Sequence, residues 1–262
     1  MNTQQFLISG WTWNPAVFLC AAAALATYLG VFGARTRLWY FASALGVIFL
    51  AFISPVNALA DGYLFSAHML QHMLLLLIAP ALLVLSLPRT LATPRWLRAV
   101  SHPVAGWFAG VGSMWLWHAP ALCNAATTYR PIFAFQTVSL LALGGVFWWQ
   151  VIAPRDRDRL SAPGAIIYLF TACTACTVLG IILTFSPVTV CSAYVNPADR
   201  LGLLNTIRSG WQITPDRDQQ IGGLLMWVPM CMIYLAAIFA QLVRWFHPHA
   251  PVPAHENRGG NP

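Results

Sequence analysis

The chain has 262 residues, of which 58% are hydrophobic and only 8% charged, with a formal net charge of +7. An ordinary soluble domain carries about 25% charged residues, so a soluble globule is excluded and the composition is that of an integral membrane protein. The basic residues are scattered singly between apolar runs, which excludes a nucleic-acid-binding patch; all 14 are arginine, which excludes any mechanism needing a lysine amine.

Spans are read as apolar runs free of Asp, Glu and Arg, since roughly 20 apolar residues cross a bilayer core. Residues 1–14 carry no basic segment, and the first run, 15–34, is followed by Arg35 and Arg37. A cleaved signal peptide shows the reverse order, so this run is expected to be a retained span. The second run, 38–58, is the weakest, because Pro55 breaks its end.

The third run, 64–88, opens with Ser66-Ala67-His68-Met69-Leu70-Gln71-His72-Met73. On a helix, positions i and i+4 share a face, so the His68 and His72 imidazoles project together. That spacing suits two ligands on one metal. Met69 and Met73 form a second such pair, turned about 100° from the first. Methionine after His68 rules out the zinc-protease pattern H-E-x-x-H. The fourth run, 103–122, ends Met114-Trp115-Leu116-Trp117-His118-Ala119-Pro120, and the fifth is 131–153.

The sixth run, 162–186, holds Cys173 and Cys176 near its middle, read as small-residue helix packing. Connection 187–218 is the longest but too short for a soluble domain. The seventh run, 219–243, is entered through Asp218; Asp218, Gly222 and Met226 form one i, i+4, i+8 stripe. His102, His247, His249 and His255 lie in loops or tail and are expected to be solvated. The fold expected is all-α: a polytopic membrane protein with a seven-helix transmembrane domain over 1–246 and a flexible cytoplasmic tail over 247–262.

Arginine placement sets the orientation. Connections one, three and five and the C-terminal end hold ten arginines, against Arg130, Arg200, Arg208 and Arg217 on the opposite side. That places the N-terminus outside and the C-terminus in the cytoplasm. His68, His72, His118 and the Asp218–Met226 stripe then reach the same depth, near the outer face. Gly222 and Gly223 should mark the closest approach of the last span to the third or fourth. Imidazole with thioether, and no carboxylate in the spans, favours copper, particularly Cu(I), and zinc on three histidines and a water is the other metal open at this level. The ligands expected are His68, His72, His118 and Met226. Gln71, Met69, Met73 and Asp218 stand behind them, Asp218 either orienting a histidine or capping a helix. A haem held by His118 and one third-span histidine is the competing reading, and a metal-free structural subunit is the third. Cys123 and Cys191 both fall on the outer side, where disulfides persist; whether they pair is open at this level.

Several of these strings resemble a known family. His68-Met69-Leu70-Gln71-His72-Met73 is followed by Pro80 and Leu87-Pro88. Trp115-x-Trp117-His118-x-Pro120 follows, then Phe147-Trp148-Trp149 before Pro154. Last comes Asp218-Gln219 with Gly223, Met226, Trp227 and Pro229. In this order they resemble the seven-span CtaG-type cytochrome c oxidase assembly factors, over about Trp13 to Trp245. Where that family often has a histidine in its fifth span, this chain has Phe135-Gln136-Thr137-Val138. The resemblance implies a non-enzymatic assembly role in the bacterial inner membrane. Its partners would be subunit I of a haem–copper oxidase, surrounding lipid and a periplasmic copper donor.

Overall fold

The computed structural model describes residues 1–33, 37–91 and 102–247 and is all-helical. Helix α1 is Thr3–Ser9, α2 is Pro15–Phe32, α3 is Leu38–Phe52 and α4 is Pro55–Ala60. Helix α5 is Phe65–Ser86, with a π-helical turn at Leu74–Ile78. Helix α6 covers residues 103–117, also with a π turn, at Phe108–Gly112. Then come α7, Pro120–Thr128; α8, Arg130–Ile152; α9, Ala162–Phe185; and α10, Pro215–Phe246.

Helix starts follow a simple local rule. Asn14, Ser54, Ser161 and Thr214 each accept a hydrogen bond from a backbone N–H of the following turn, and proline occupies the first or second helical position. A polar cap satisfies a donor that the helix leaves free, and proline there loses nothing because its N–H would be unpaired.

Among the described residues, five helices are long and apolar enough to cross a membrane: α2, α5, α8, α9 and α10. The expectation of seven spans is therefore corrected. The run 38–58 yields only 15 helical residues before Pro55 restarts the chain as α4. The run 103–122 stops at Trp117, because Pro120 forces the residue before it into an extended conformation. Fifteen residues span about 22 Å, short of the roughly 30 Å hydrocarbon core. The seven-crossing topology, and the outside N-terminus and cytoplasmic C-terminus counted from it, do not stand. Arg35, Arg95, Arg98, Arg258, His249, His255 and the expected tail beyond His247 lie outside the described residues.

Two close approaches organise the bundle. Pro80 offers no N–H to the Leu76 carbonyl, and the π turn precedes it. That carbonyl faces Gly144 of α8, where any Cβ would overlap the Leu76 oxygen and the Pro80 ring. Glycine is thus required for α8 to lie against α5. Helices α9 and α10 pack along most of their length. Gly180 sits against Trp227, and Gly223 against Thr184. Such small residues let backbones meet where lipid supplies no hydrophobic drive between helices. Large apolar side chains such as Leu19, Phe170, Phe185, Phe239 and Phe246 point outward.

The bundle has two different ends. At one, Tyr28 donates to the Ser86 carbonyl, Arg155 to Thr90 and Arg244 to Leu160. At the other, the connection 187–214 folds over the starts of α5 and α10. A disulfide, Cys123–Cys191, ties it to α7 with a Cα–Cα distance of 5.8 Å. Asp199 accepts from the Leu203 N–H at 2.7 Å and from the Tyr63 hydroxyl at 3.1 Å. The N-terminal ammonium donates to Gly202 at 2.9 Å. Leu203 and Ile207 bury themselves with Phe6, Tyr63 and Leu64 in a small satellite core.

Candidate functional site

The histidine cluster lies under this cap. Helix α5 begins at Phe65, so His68 and His72 occupy its first two turns. Nothing on the residues preceding Phe65 caps that start. The caps come from α10 instead. The Asp218 carboxylate accepts from the Phe65 N–H at 2.6 Å, the Ser66 N–H at 3.0 Å and the Ser66 hydroxyl at 2.6 Å. A carboxylate at a helix N-terminus meets free donors and the positive end of the helix dipole. Asp218 therefore fixes the helix that bears the histidines; no hydrogen bond joins it to a ring nitrogen. It caps a helix, and that helix is not its own.

His118 reaches the same place from α6. It occupies the C-cap, where the helix ends ahead of Pro120. All three imidazoles are buried. His68 and His72 have ring centroids 4.4 Å apart, and His72 and His118 5.1 Å apart. The three rings that sequence places together are thus adjacent, with His72 in the middle. Among the described residues, no three His, Cys, Asp or Glu side chains gather as a metal-ion group.

His118 Nδ1 lies 2.5 Å from the Met114 carbonyl, and its Nε2 lies 2.9 Å from the Met69 sulfur. The carbonyl can only accept, so Nδ1 carries the proton and Nε2 presents a lone pair. A thioether also only accepts. Two acceptors therefore face each other with no proton to share. All four ring nitrogens of His68 and His72 are buried without a hydrogen-bond partner. Leaving a buried polar atom unsatisfied costs about 1–3 kcal/mol, and such atoms call for an explanation.

The remaining expected residues fall as follows. Met73 is buried in the main core, one turn beyond Met69. Met226 is fully buried in the same core. Gln71 lies beside His68 and donates to the Ala51 carbonyl at 2.7 Å and to Asn57 at 3.2 Å. Gly222 does mark the approach of α10 to α5, since a Cβ there would meet Phe65 and Met69. Gly223 faces α9 instead.

Two residues not singled out as site residues stand at this site. Gln136 of α8 is buried beside His72, and its Nε2 has no partner. It occupies the fifth-run stretch where a histidine is missing. Tyr194 of the cap lies 6.0 Å from the His68 ring by centroids and donates to the Ala60 carbonyl at 2.9 Å. Full burial first, then the nearby carboxylates of Asp218 and Asp61, push its phenol well above the usual range, so it stays a neutral donor. Tyr194 carries no local signal in the sequence, because a loop residue acquires a partner only when the loop is folded back.

A narrow cleft leads inward from the surface to this cluster, lined by Asp61, Gly62, His68, Thr127, Arg130 and Tyr194 among others. Its outer lip carries the Asp61–Arg130 ion pair at 2.9 Å, both partners largely exposed.

Fold and site together define a polytopic helical membrane protein with a buried histidine–methionine cluster at one end. The chain belongs to the cytochrome c oxidase caa3 assembly factor family (Caa3_CtaG), which matches residues 16–247. Uncharacterized protein ML1998 of Mycobacterium leprae (strain TN) is 28% identical over 239 residues, covering 81% of this chain and 35% of that protein. Uncharacterized protein Mb0105 of Mycobacterium bovis is 26% identical over 239 residues, again covering 81% of this chain and 35% of that protein. The chain thus spans about a third of the length of these curated relatives. No solved structure matches.

Proposed function

We propose that this assembly factor handles copper, as Cu(I), during maturation of a haem–copper oxidase in the bacterial inner membrane. The observation that carries the reading is the pair of facing acceptors, His118 Nε2 and Met69 Sδ, 2.9 Å apart. Beside them stand the unpartnered nitrogens of His68 and His72. Imidazole and thioether together favour a soft monovalent copper ion over zinc or magnesium. Copper here is cargo. His72, His118 and Met69 are the donors that hold it, with His68 nearest the surface cleft and Met226 in the core beyond.

The cargo enters at the lip of the cleft, where the Asp61–Arg130 pair is exposed and so contributes little to stability. Opening it costs little. Transfer proceeds by ligand exchange, one donor at a time, from a periplasmic donor to His68, then inward, and finally to subunit I of the oxidase. The disulfide at this end supports an oxidising compartment on that side. Rings packed at 4.4 and 5.1 Å favour a small ion over a haem macrocycle.

The test is His68→Ala combined with His72→Ala in the full chain. Purified wild type should bind Cu(I) in competition with a chromophoric chelator, and the double variant should bind at least about tenfold more weakly, roughly 1.4 kcal/mol. Cells carrying it should lack active oxidase while the protein still accumulates. Met69→Leu, which preserves volume, guards against a folding defect and should weaken binding as well. Wild type that leaves copper with the chelator would sink the proposal.

A further inference from the structure

A second reactive cluster lies away from the histidines, between α9 and α10. Cys173 and Cys231 place their sulfurs 2.9 Å apart. The Thr177 hydroxyl stands 3.1 Å from the Cys231 sulfur. Both cysteines sit at the midpoints of their helices, Ala162–Phe185 and Pro215–Phe246, so the pair belongs at the centre of the bilayer. Both are only partly buried. Cys176, one turn along α9, is buried against the Tyr234 hydroxyl at 3.8 Å, and Cys20 lies alone on exposed α2. Of the four free thiols, two are paired, accessible from lipid and within reach of one another.

We propose that Cys173 and Cys231 form a redox-active dithiol that closes to a disulfide between α9 and α10. A disulfide holds its sulfurs about 2.05 Å apart, so closure needs a movement of under about 1 Å from the observed contact, within the reach of side-chain torsion. Thr177 can donate its hydroxyl hydrogen to the Cys231 sulfur as it becomes a thiolate, the nucleophilic form. In the balanced step two S–H bonds are lost and one S–S bond forms. The two electrons and two protons reduce one lipid-soluble quinone to its hydroquinone. A quinone is the class of oxidant the location selects: it carries two electrons and two protons and dissolves in the hydrocarbon core, which charged oxidants do not.

The bond would staple α10 to α9 on the face where Gly180 and Gly223 already bring them together. Helix α10 also carries Asp218, which anchors the histidine helix. Redox state in the membrane is thereby connected to the element that positions the histidine site.

The experiment uses the full chain in lipid nanodiscs, incubated with a short-chain ubiquinone analogue, then alkylated and digested under non-reducing conditions. The expected result is a linked peptide pair joining Cys173 to Cys231, lighter by two hydrogens than the two reduced peptides. Cys20 and Cys176 should remain alkylated, and hydroquinone should appear in equal amount. Cys176→Ser should behave as wild type, while Cys173→Ser and Cys231→Ser should consume no quinone. Four alkylated thiols in wild type after quinone treatment would overturn the proposal. So would a link through Cys176.

Discussion

His118 owes its position to a proline two residues on. Pro120 cannot share its predecessor with a helix, so Ala119 is extended and the helix ends at Trp117. The freed imidazole then bonds back to Met114 one turn below and presents its other nitrogen to Met69. Asp218 exerts comparable control from a distance, through three hydrogen bonds to the first turn of α5. Asp218→Asn removes the charge and sets an amide where an acceptor is needed. We expect a loss of about 2–3 kcal/mol, the scale of a hydrogen bond to a charged group, read as a lower midpoint of thermal unfolding in detergent. If the site carries copper as proposed, the same variant should weaken its retention while leaving His68, His72, His118 and Met69 in place. An unchanged midpoint would mean that the first turn of α5 is held by its packing alone.

At the scale of elements, the informative pair is Gly144 and Gly145 of α8. They are neighbours in sequence, yet only one faces α5. Gly144→Ala drives a methyl into the Leu76 carbonyl, backbone that cannot turn aside. Overpacking of this kind costs about 1–3 kcal/mol. Gly145 has open space around it, and alanine there should be neutral or stabilising by roughly 0.5–1 kcal/mol from helix propensity. Comparing the two variants by detergent-resistance melting separates helix–helix contact from helix propensity. Equal effects would show that α8 does not depend on this approach. The π turns in α5 and α6 belong to the same scale. Each shifts the register of side chains beyond it, and in α6 that stretch carries Met114 and His118.

Across the whole molecule, the two ends do different things. One end is a set of arginines bonded to carbonyls of the connecting turns; the other is a folded cap held by a disulfide, a satellite core and the N-terminal ammonium. Cys123 and Cys191 are 68 positions apart, so their bond closes a long loop through α8 and α9. A disulfide typically contributes 2–4 kcal/mol. In Cys123→Ser with Cys191→Ser, the five spanning helices should remain, since their packing lies elsewhere. The cap should loosen. Limited proteolysis should then cleave within residues 187–214 at least about tenfold faster than in wild type, the rate expected for a 1.4 kcal/mol shift in local opening. Unaltered cleavage would mean that Tyr194, Asp199 and Arg208, which donates to the Ile213 and Tyr194 carbonyls, hold the cap without it.

Sequence alone determined the membrane class, the helical fold and which histidines lie together, because apolar run length and i, i+4 spacing are local properties. His68, His72 and His118 were legible for that reason: two share a helix face, and the third stands beside a proline that ends its helix. The number of spans was not, because counting apolar residues through Pro55 and Pro120 overstates helix length: each proline starts a new helix and the preceding one ends short of it. The role of Asp218, the contact of Tyr194 and the burial of Gln136 were decided only by the tertiary structure. Each depends on a partner from another helix, and cross-helix partnership is set by close packing at glycine contacts such as Gly222 against Phe65, which no single segment encodes.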